Sequence, residues 1–570
     1  MPPVAMGLVS QHRAKPILII LFLISCYLFL SPVSLRFPLG PIPRSSILQQ
    51  GRWHWRWHPQ TYTEASGPLK KHPIQTLVEN AERHFEKKLK RQSKTFEDAV
   101  KKYKRLHRRE PPPGFDKLYE YAVKINSSII DDFGAIRDSL EPFWALPAHE
   151  IVKRARAVVK SKKWLDIYTI KNHTIDQNGP IHDWIETFVA EMPDMLIPYN
   201  HLAESRVVHP FDNQTSDNNK LLFCGPQRNI SSLGEVYRFQ NISHAPTWVY
   251  VITSCQPGSL ARTTRNIFTN QTSNLKFTKD VIASKDLCEN PDHRRLHGNL
   301  ISPDSTLLAQ DLVPVFSRNK MSTFQDILVP TPAYRNRALL SSNLVPWEAK
   351  HNDLYWTGTT TGGYSRDGSW QFTQRFRFVS MMNNPNRTIQ LLQKVGDRWE
   401  THRSTVKSIS NLVTAKFTKQ ALCTPHDCEA QRNASTIRFG KRDPPTEYQN
   451  HTLVIDIDGQ ASTDRYYKLL SSGSAVLKQT LMREWHDDRL IPWLHYVPVS
   501  LGMEELPEIV RYLTEEDEGR LIARKIADQG REWWLRALRN EDMALYMYRL
   551  LLEWARLIDP KRDEGRSACE

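Results

Sequence analysis

The chain has 570 residues, 24% of them charged and 40% hydrophobic, with a formal net charge of +15. That length supports two or three domains with cores of their own, and the composition is that of a globular protein and excludes a disordered or fibrous one. The charge is concentrated: residues 71–109 hold 13 Lys and Arg against 5 Asp and Glu, a net +8, so a nucleic-acid surface over the whole protein is not indicated.

The first element after residues 1–15 is an uncharged run, PILIILFLISCYLFLSPVSL, at residues 16–35. Its length is about that of a hydrocarbon core, and Arg13 and Lys15 before it favour a cytosolic amino terminus. A cleaved signal peptide is the rival, but bulky residues stand where a small-x-small cleavage site belongs. A retained type II signal-anchor is therefore expected, with the rest of the chain lumenal. Two features agree. Asn-x-Ser/Thr sequons occur at Asn126, Asn172, Asn213, Asn229, Asn241, Asn270, Asn386, Asn433 and Asn450. Beyond Cys26 in the anchor, the cysteines suit an oxidising lumen; Cys255–Cys288 and Cys423–Cys428 are the expected pairs, with Cys224 and Cys569 free or bonded elsewhere. No C-x2-C pair or Cys/His tetrad points to zinc.

Residues 36–110 read as a stem. RWHWRWH at 52–58 suits a membrane interface or packing on the stem equally. Ile74, Leu77, Val78, Ala81, Phe85 and Leu89, then Phe96, Ala99, Val100, Tyr103 and Leu106, have helical spacing with a basic opposite face. The spacing predicts a solvated helix; a DNA-binding helix is disfavoured because no sustained leucine heptad follows. REPPPG at 109–114 stops it. Residues 111–345 mix helical stretches with short apolar runs such as TWVYVITSC, LVPVFS and DILVP. Residues 346–560 alternate strands (DLYWTG, HTLVIDID, SAVLKQT, LHYVPVS) with helices, the pattern of a doubly wound parallel sheet.

In such a sheet ligands bind beyond the carboxyl ends of the strands. HTLVIDID ends at such a point, followed by Gly459, the hydroxyl and acidic caps Ser462, Thr463 and Asp464, and Arg465 in the first helical turn. A free helix start and an early guanidinium together predict an anion site for a diphosphate. Asp456 and Asp458 invite a metal, but they share one face of a strand and the site already has positive charge, so no metal is expected. YWTGTTTGG at 355–363 is a second such turn, without the Walker lysine or the G-x-G-x-x-G spacing. Asp194 and Glu204 flank an apolar stretch and are the acid–base candidates.

RREPPPGFDKLYEYA, EPFWALP, DLYWTGTTTGGYSRDGSW and the long stretch from DIDGQASTDRYYKLLSS to VPVSLGMEELPEIVRYL closely resemble fungal capsule-associated glycosyltransferases of glycosyltransferase family 90, with animal protein O-glucosyltransferases as distant relatives. The resemblance implies an α/β, GT-B-like fold of two Rossmann-like domains, an acceptor-side domain (111–345) and a nucleotide-sugar domain (346–560), here preceded by the transmembrane helix and helical stem. It implies an inverting transferase that moves xylose or glucose from a UDP-sugar to a glycan or glycoprotein hydroxyl, in the Golgi, with no bound cofactor. By matching positions it puts Gly358, Thr359 and Thr360 in a first donor loop and Gly459, Ser462, Thr463 and Arg465 in a second, with Glu505 near the ribose. The animal enzymes carry arginines in the first loop where Thr357 and Thr360 stand, which shifts diphosphate charge onto Arg465, Arg375 or Arg377. Relatives place an aspartate base where Ala203 stands, beside Glu204; either Glu204 or Asp194 replaces it, or the chain is a catalytically altered, membrane-anchored glycan-binding or scaffold protein.

Overall fold

The computed structural model describes residues 61–65, 67–159, 164–176, 179–211, 239–263, 275–334 and 344–563. Strand β1 (Tyr62–Ala65) pairs antiparallel with Leu275–Thr278, and helices α1 (Pro73–Lys90) and α2 (Phe96–His107) follow. These helices correct the expected stem. Ile74, Leu77, Val78 and Ala81 are buried in a core shared with Tyr512 and Leu513, and Tyr103 of α2 donates to Glu553 at 2.7 Å. Burying an aliphatic side chain is worth roughly 1.5–3 kcal/mol, so three of them hold α1 on the body while Lys87 and Lys90 stay in water and Lys88 is buried, donating to the Asp488 carbonyl. His72 leads into α1; it accepts from the Ile74 N–H, hydrogen-bonds Glu508 at 3.0 Å and stacks on Tyr512.

The expected transmembrane helix is also corrected. No helix among the described residues is long and apolar enough to cross a membrane. The helices of 18 residues or more, Pro73–Lys90, Asp517–Ala537 and Asn540–Ile558, all carry charged side chains along their length, which hydrocarbon does not tolerate. Residues 1–35 and the 52–58 motif lie outside the described residues.

The first sheet contains β2 (Leu165–Lys171), β3 (Thr174–Ile175), β4 (Met195–Asn200), β5 (Phe316–Ser317) and β6 (Ile327–Leu328), in the order β6-β5-β4-β2-β3. Strands β6, β5 and β4 run parallel, while β2 pairs antiparallel with both β4 and β3. The sheet is therefore mixed, parallel from β6 through β5 to β4 and antiparallel from β4 through β2 to β3. TWVYVITSC contributes no strand; Trp248–Val251 and Ile252–Ser254 are helical turns, the ambiguity inherent in a short apolar run. Both expected disulfides form, Cys255–Cys288 and Cys423–Cys428, each with Cα atoms 5.4 Å apart. Cys26, Cys224 and Cys569 lie outside the described residues.

The second sheet contains β7 (His351–Thr359), β8 (Val413–Lys419), β9 (His451–Ile457), β10 (Ala475–Gln479) and β11 (Val497–Pro498), in the order β8-β7-β9-β10-β11 with every neighbour parallel. All seven residues of β9 are buried, as expected of a strand covered on both faces. Its helices are α3 (Gln374–Met382), α4 (Tyr466–Leu470), α5 (Leu506–Glu515), α6 (Asp517–Ala537) and α7 (Asn540–Ile558). Helix α7 returns to the first sheet, where Trp554 packs on Phe316 and donates to the Leu196 carbonyl. One core holds Ile197 and Phe316 of the first sheet with Val454 and Val476 of the second, so the carboxyl ends of both sheets are held in a fixed relation.

Candidate active site

From β7 the chain passes outward to β8 and then back across β7 to β9. That reversal is a topological switch point, where a crevice opens beyond the strand ends. The loops after β7 and β9 meet there, and Arg375 of α3 staples them. Its Nε donates to the Asp458 carbonyl at 3.0 Å, one terminal nitrogen to the Thr359 carbonyl (3.0 Å) and Thr361 Oγ1 (2.8 Å), the other to the Ile457 carbonyl (3.2 Å). Burial, then the neighbouring Arg465 charge, press its guanidinium down to about 9. Gly459 eases this approach: a Cβ there would stand 3.2 Å from both Arg375 and the Thr361 carbonyl, tighter than ordinary contact. Thr360 does not face the crevice; its hydroxyl donates to the Ala421 carbonyl and accepts from the Ala421 N–H. Gly358 and Thr359 are half-buried at the opening.

Asp456 in β9 and Asp458 just after it are engaged internally, though Asp458 Oδ1 is buried without a hydrogen-bond partner among the described residues. Asp456 accepts from Lys478 at 2.8 Å and from the Thr463 hydroxyl. Lys478 also faces Glu484 at 3.5 Å and the Tyr466 ring at 4.0 Å. Asp458 accepts from Thr480 Oγ1 (2.9 Å) and the Leu481 N–H (2.8 Å) and faces His297 Nε2 at 3.3 Å. Burial opposes its charge, but His297, Lys478 and the Leu481 N–H together hold its carboxyl below the usual range. Among the described residues no group of three or more His, Cys, Asp or Glu is arranged to hold a metal.

The helix start differs from expectation. Helix α4 has five residues, with Arg465 at its N-cap and no side-chain cap bond, so little helix dipole reaches the crevice. Ser462 accepts from Asn319, and Thr463 serves Asp456 instead of a backbone N–H. Arg465 remains at the opening, 30% exposed, with one nitrogen on the Thr357 carbonyl at 2.9 Å. The positive charge therefore comes from side chains, chiefly Arg465.

Glu505 lies at the same end of the sheet, after β11. It accepts from the Ser500 N–H (2.6 Å) and hydroxyl (2.8 Å), and burial with Glu504 beside it pushes its carboxyl up to about 7. Arg377 is elsewhere, donating to the Leu296, Leu501 and Gly502 carbonyls.

On the acceptor side the two candidate carboxylates are not brought together. Asp194 precedes β4 at its amino end and accepts from the Asn172 N–H at 2.9 Å, whereas Glu204 follows the carboxyl end. Glu204 is buried and faces Arg206 and Ser305, each at 3.5 Å. Ala203, half-buried, is joined to the second donor loop by Asn319, whose Nδ2 reaches the Ala203 carbonyl at 3.1 Å and Ser462 at 3.0 Å. Of the sequons, Asn126, Asn172, Asn241, Asn386 and Asn433 are exposed and Asn450 is half-buried; Asn213, Asn229 and Asn270 lie outside the described residues.

Sequence reasoning missed His297, Gln374, Arg318, Asn319 and Lys478. Lys478 had a signal, a lysine inside the apolar run SAVLKQT. The others reach the crevice from segments whose own pattern says nothing of it: Gln374 bridges the Gly459 carbonyl and the Gly298 N–H.

The family model described as "Glycosyl transferase family 90" matches residues 393–569. The chain is 32% identical over 162 residues to an "O-glucosyltransferase rumi homolog" of Aedes aegypti, covering 27% of this chain and 38% of that protein. It is 22% identical over 271 residues to "Protein O-glucosyltransferase 1" of Rattus norvegicus, covering 43% and 58%, and 31% identical over 137 residues to "Protein O-glucosyltransferase 3" of Mus musculus, covering 22% and 27%. The matched part is thus under two thirds of each relative's length. The family-model match includes the second loop and Arg465, so the chain carries a glycosyl transferase family 90 domain over residues 393–569.

Proposed function

We propose that this protein transfers a sugar, glucose or xylose, from a UDP-sugar to a hydroxyl of a glycan or glycoprotein, with inversion. The observation that carries this reading is Arg465, held half-exposed at the switch-point crevice of a family 90 domain by the Thr357 carbonyl. A fixed guanidinium there stabilises charge on the departing diphosphate as it develops. Family relatives named as O-glucosyltransferases support a glucosyl donor and a protein acceptor. In the proposed step a carboxylate, Glu204, takes the proton of the acceptor hydroxyl, whose oxygen bonds to the anomeric carbon as the bond to UDP breaks. Because Asp456 is engaged by Lys478 and Thr463, one oxygen of Asp458 is engaged by Thr480 and Leu481, and no group of three or more metal-ligating side chains occurs among the described residues, transfer is proposed to need no divalent metal. The two disulfides support a lumenal location, proposed as the Golgi. The test is UDP release by the full chain from UDP-glucose or UDP-xylose with a glycan acceptor, retained in a chelator and lost in Arg465→Ala. Failure of every donor and acceptor to give turnover overturns it.

A second reading, a glycan-binding or scaffold protein on the same fold, is favoured by Ala203 at the base position and by the engagement of Glu204 with buried Arg206. UDP-sugar or glycan binding without turnover is its signature.

A further inference from the structure

Arg318 follows β5 at the carboxyl end of the first sheet, directly opposite the second donor loop. One terminal nitrogen meets Asp464 Oδ1 at 2.8 Å, and its Nε–H is buried with no hydrogen-bond partner among the described residues. Asn319, the next residue, donates to Ser462. The phenol of Tyr199, at the end of β4, feels both Arg318 and Asp464, so the pair stands at the mouth between the two sheets.

The cations at the crevice differ in what they have left to give. Arg375 has donated to three backbone carbonyls, and Lys478 is enclosed by Asp456 and Glu484. Arg465 has one nitrogen committed to Thr357. Arg318 holds a single carboxylate, and that carboxylate, Asp464, is 60% exposed and adjoins Arg465 in sequence. An ion pair whose carboxylate lies mostly in water is worth little, whereas a guanidinium prefers the two-oxygen face of a phosphate.

We infer that Arg318 is a second diphosphate-binding residue, supplied by the acceptor-side sheet, and that Asp464 holds its place until the anionic donor displaces it. This rests on the proposed nucleotide-sugar reading. It assigns to the opposite sheet part of the charge that arginines in the first donor loop would otherwise supply.

The test is calorimetric titration of the full chain with UDP, for the unmodified protein and for Arg318→Ala, Arg318→Lys, Asp464→Ala and the double variant Arg318→Ala/Asp464→Ala, with melting temperatures to confirm folding. Arg318→Ala is expected to weaken UDP about tenfold or more, Arg318→Lys less, and Asp464→Ala to leave it equal or tighter. The double variant should stay as weak as Arg318→Ala. Recovery in the double variant would mean that Arg318 only offsets Asp464, and an unaltered affinity in Arg318→Ala would mean no role; either overturns the inference while leaving the functional reading intact. Should Arg318→Ala fail to fold, equal binding by Arg318→Lys and the unmodified chain overturns it. Absence of UDP binding by the unmodified protein removes both.

Discussion

At the scale of single residues, the unusual groups are charges taken out of water. Lys478 neutralises Asp456 and Glu484 inside the second sheet. Lys478→Met leaves buried Glu484 without its lysine and buried Asp456 with only Arg465, at 3.9 Å, so it is expected to destabilise the protein by about 3–5 kcal/mol, read from the midpoint of urea unfolding. Glu505 is the residue poised near neutrality. Its carboxyl, pushed up to about 7, is mostly protonated at pH 6 and ionised at pH 8. On the proposed reading that Glu505 meets the ribose, its ionised form accepts hydrogen bonds from the hydroxyls more strongly, and UDP affinity should rise about fivefold across that interval. Glu505→Gln should flatten the profile, and a profile as steep in that variant would remove Glu505 from the nucleotide. For the place of Arg465 beyond the end of β9 the sequence was sufficient, because strand end, glycine and arginine lie close together along the chain; the capping expected of Ser462 and Thr463 was not found, since they bond Asn319 and Asp456. The partners of Asp456 and Asp458 were not readable, since Lys478 and Thr480 lie on the neighbouring strand.

At the scale of elements, α1 shows how a segment's own pattern leaves its placement open. Its apolar stripe was evident from spacing, yet the stripe says only that something must cover it. The covering surface is the second sheet's helix layer, reached through His72 and Glu508, which are 436 positions apart. Leu77→Ala should therefore cost about 2–5 kcal/mol in urea unfolding; a change under ~0.5 kcal/mol would mean that α1 stands free. The loop contacts at the crevice are equally close. A Cβ on Gly298 would lie 1.5 Å from the Gly362 carbonyl, so Gly298→Ala must push the two segments apart. Loss of UDP binding with the fold retained by circular dichroism is the expected outcome. Helix α4 was foreseen as a helix, but its length of five residues was not, and it is length that decides how much dipole an anion meets.

At the scale of the whole molecule, burial of neutral histidines makes stability depend on pH. Burial lowers His293 to about 4 and His495 to about 3. The His495 ring accepts from the Ile491 N–H and stacks on Trp533, which fixes it in its neutral form. Below about 6.5 the unfolded chain binds protons that the folded chain refuses, so stability is lost as pH falls. Each of the two histidines costs about 1.4 kcal/mol per pH unit between roughly 6.5 and its folded value. Glu505 acts oppositely, costing stability as pH rises from about 4.5 to 7, and burial likewise raises Asp286, Asp326 and Asp488, but His72, His107 and His486 are lowered by burial along with His293 and His495. Urea midpoints should fall between pH 6.5 and 4.5, and His495→Asn should reduce the slope.

By itself the sequence determined what depends on neighbours along the chain: the all-parallel second sheet, the cysteine pairs, the two loops of the crevice and the family 90 domain. Tertiary structure alone decided what depends on distant partners. It set the mixed pairing of the first sheet, the docking of α1 and α2, and the separation of Asp194 from Glu204 by the length of β4. It also brought Arg318, His297 and Gln374 to the donor loops. Local spacing reports which faces are apolar and which turns are tight; it carries no record of which surface, hundreds of residues away, removes that face from water or completes that charge.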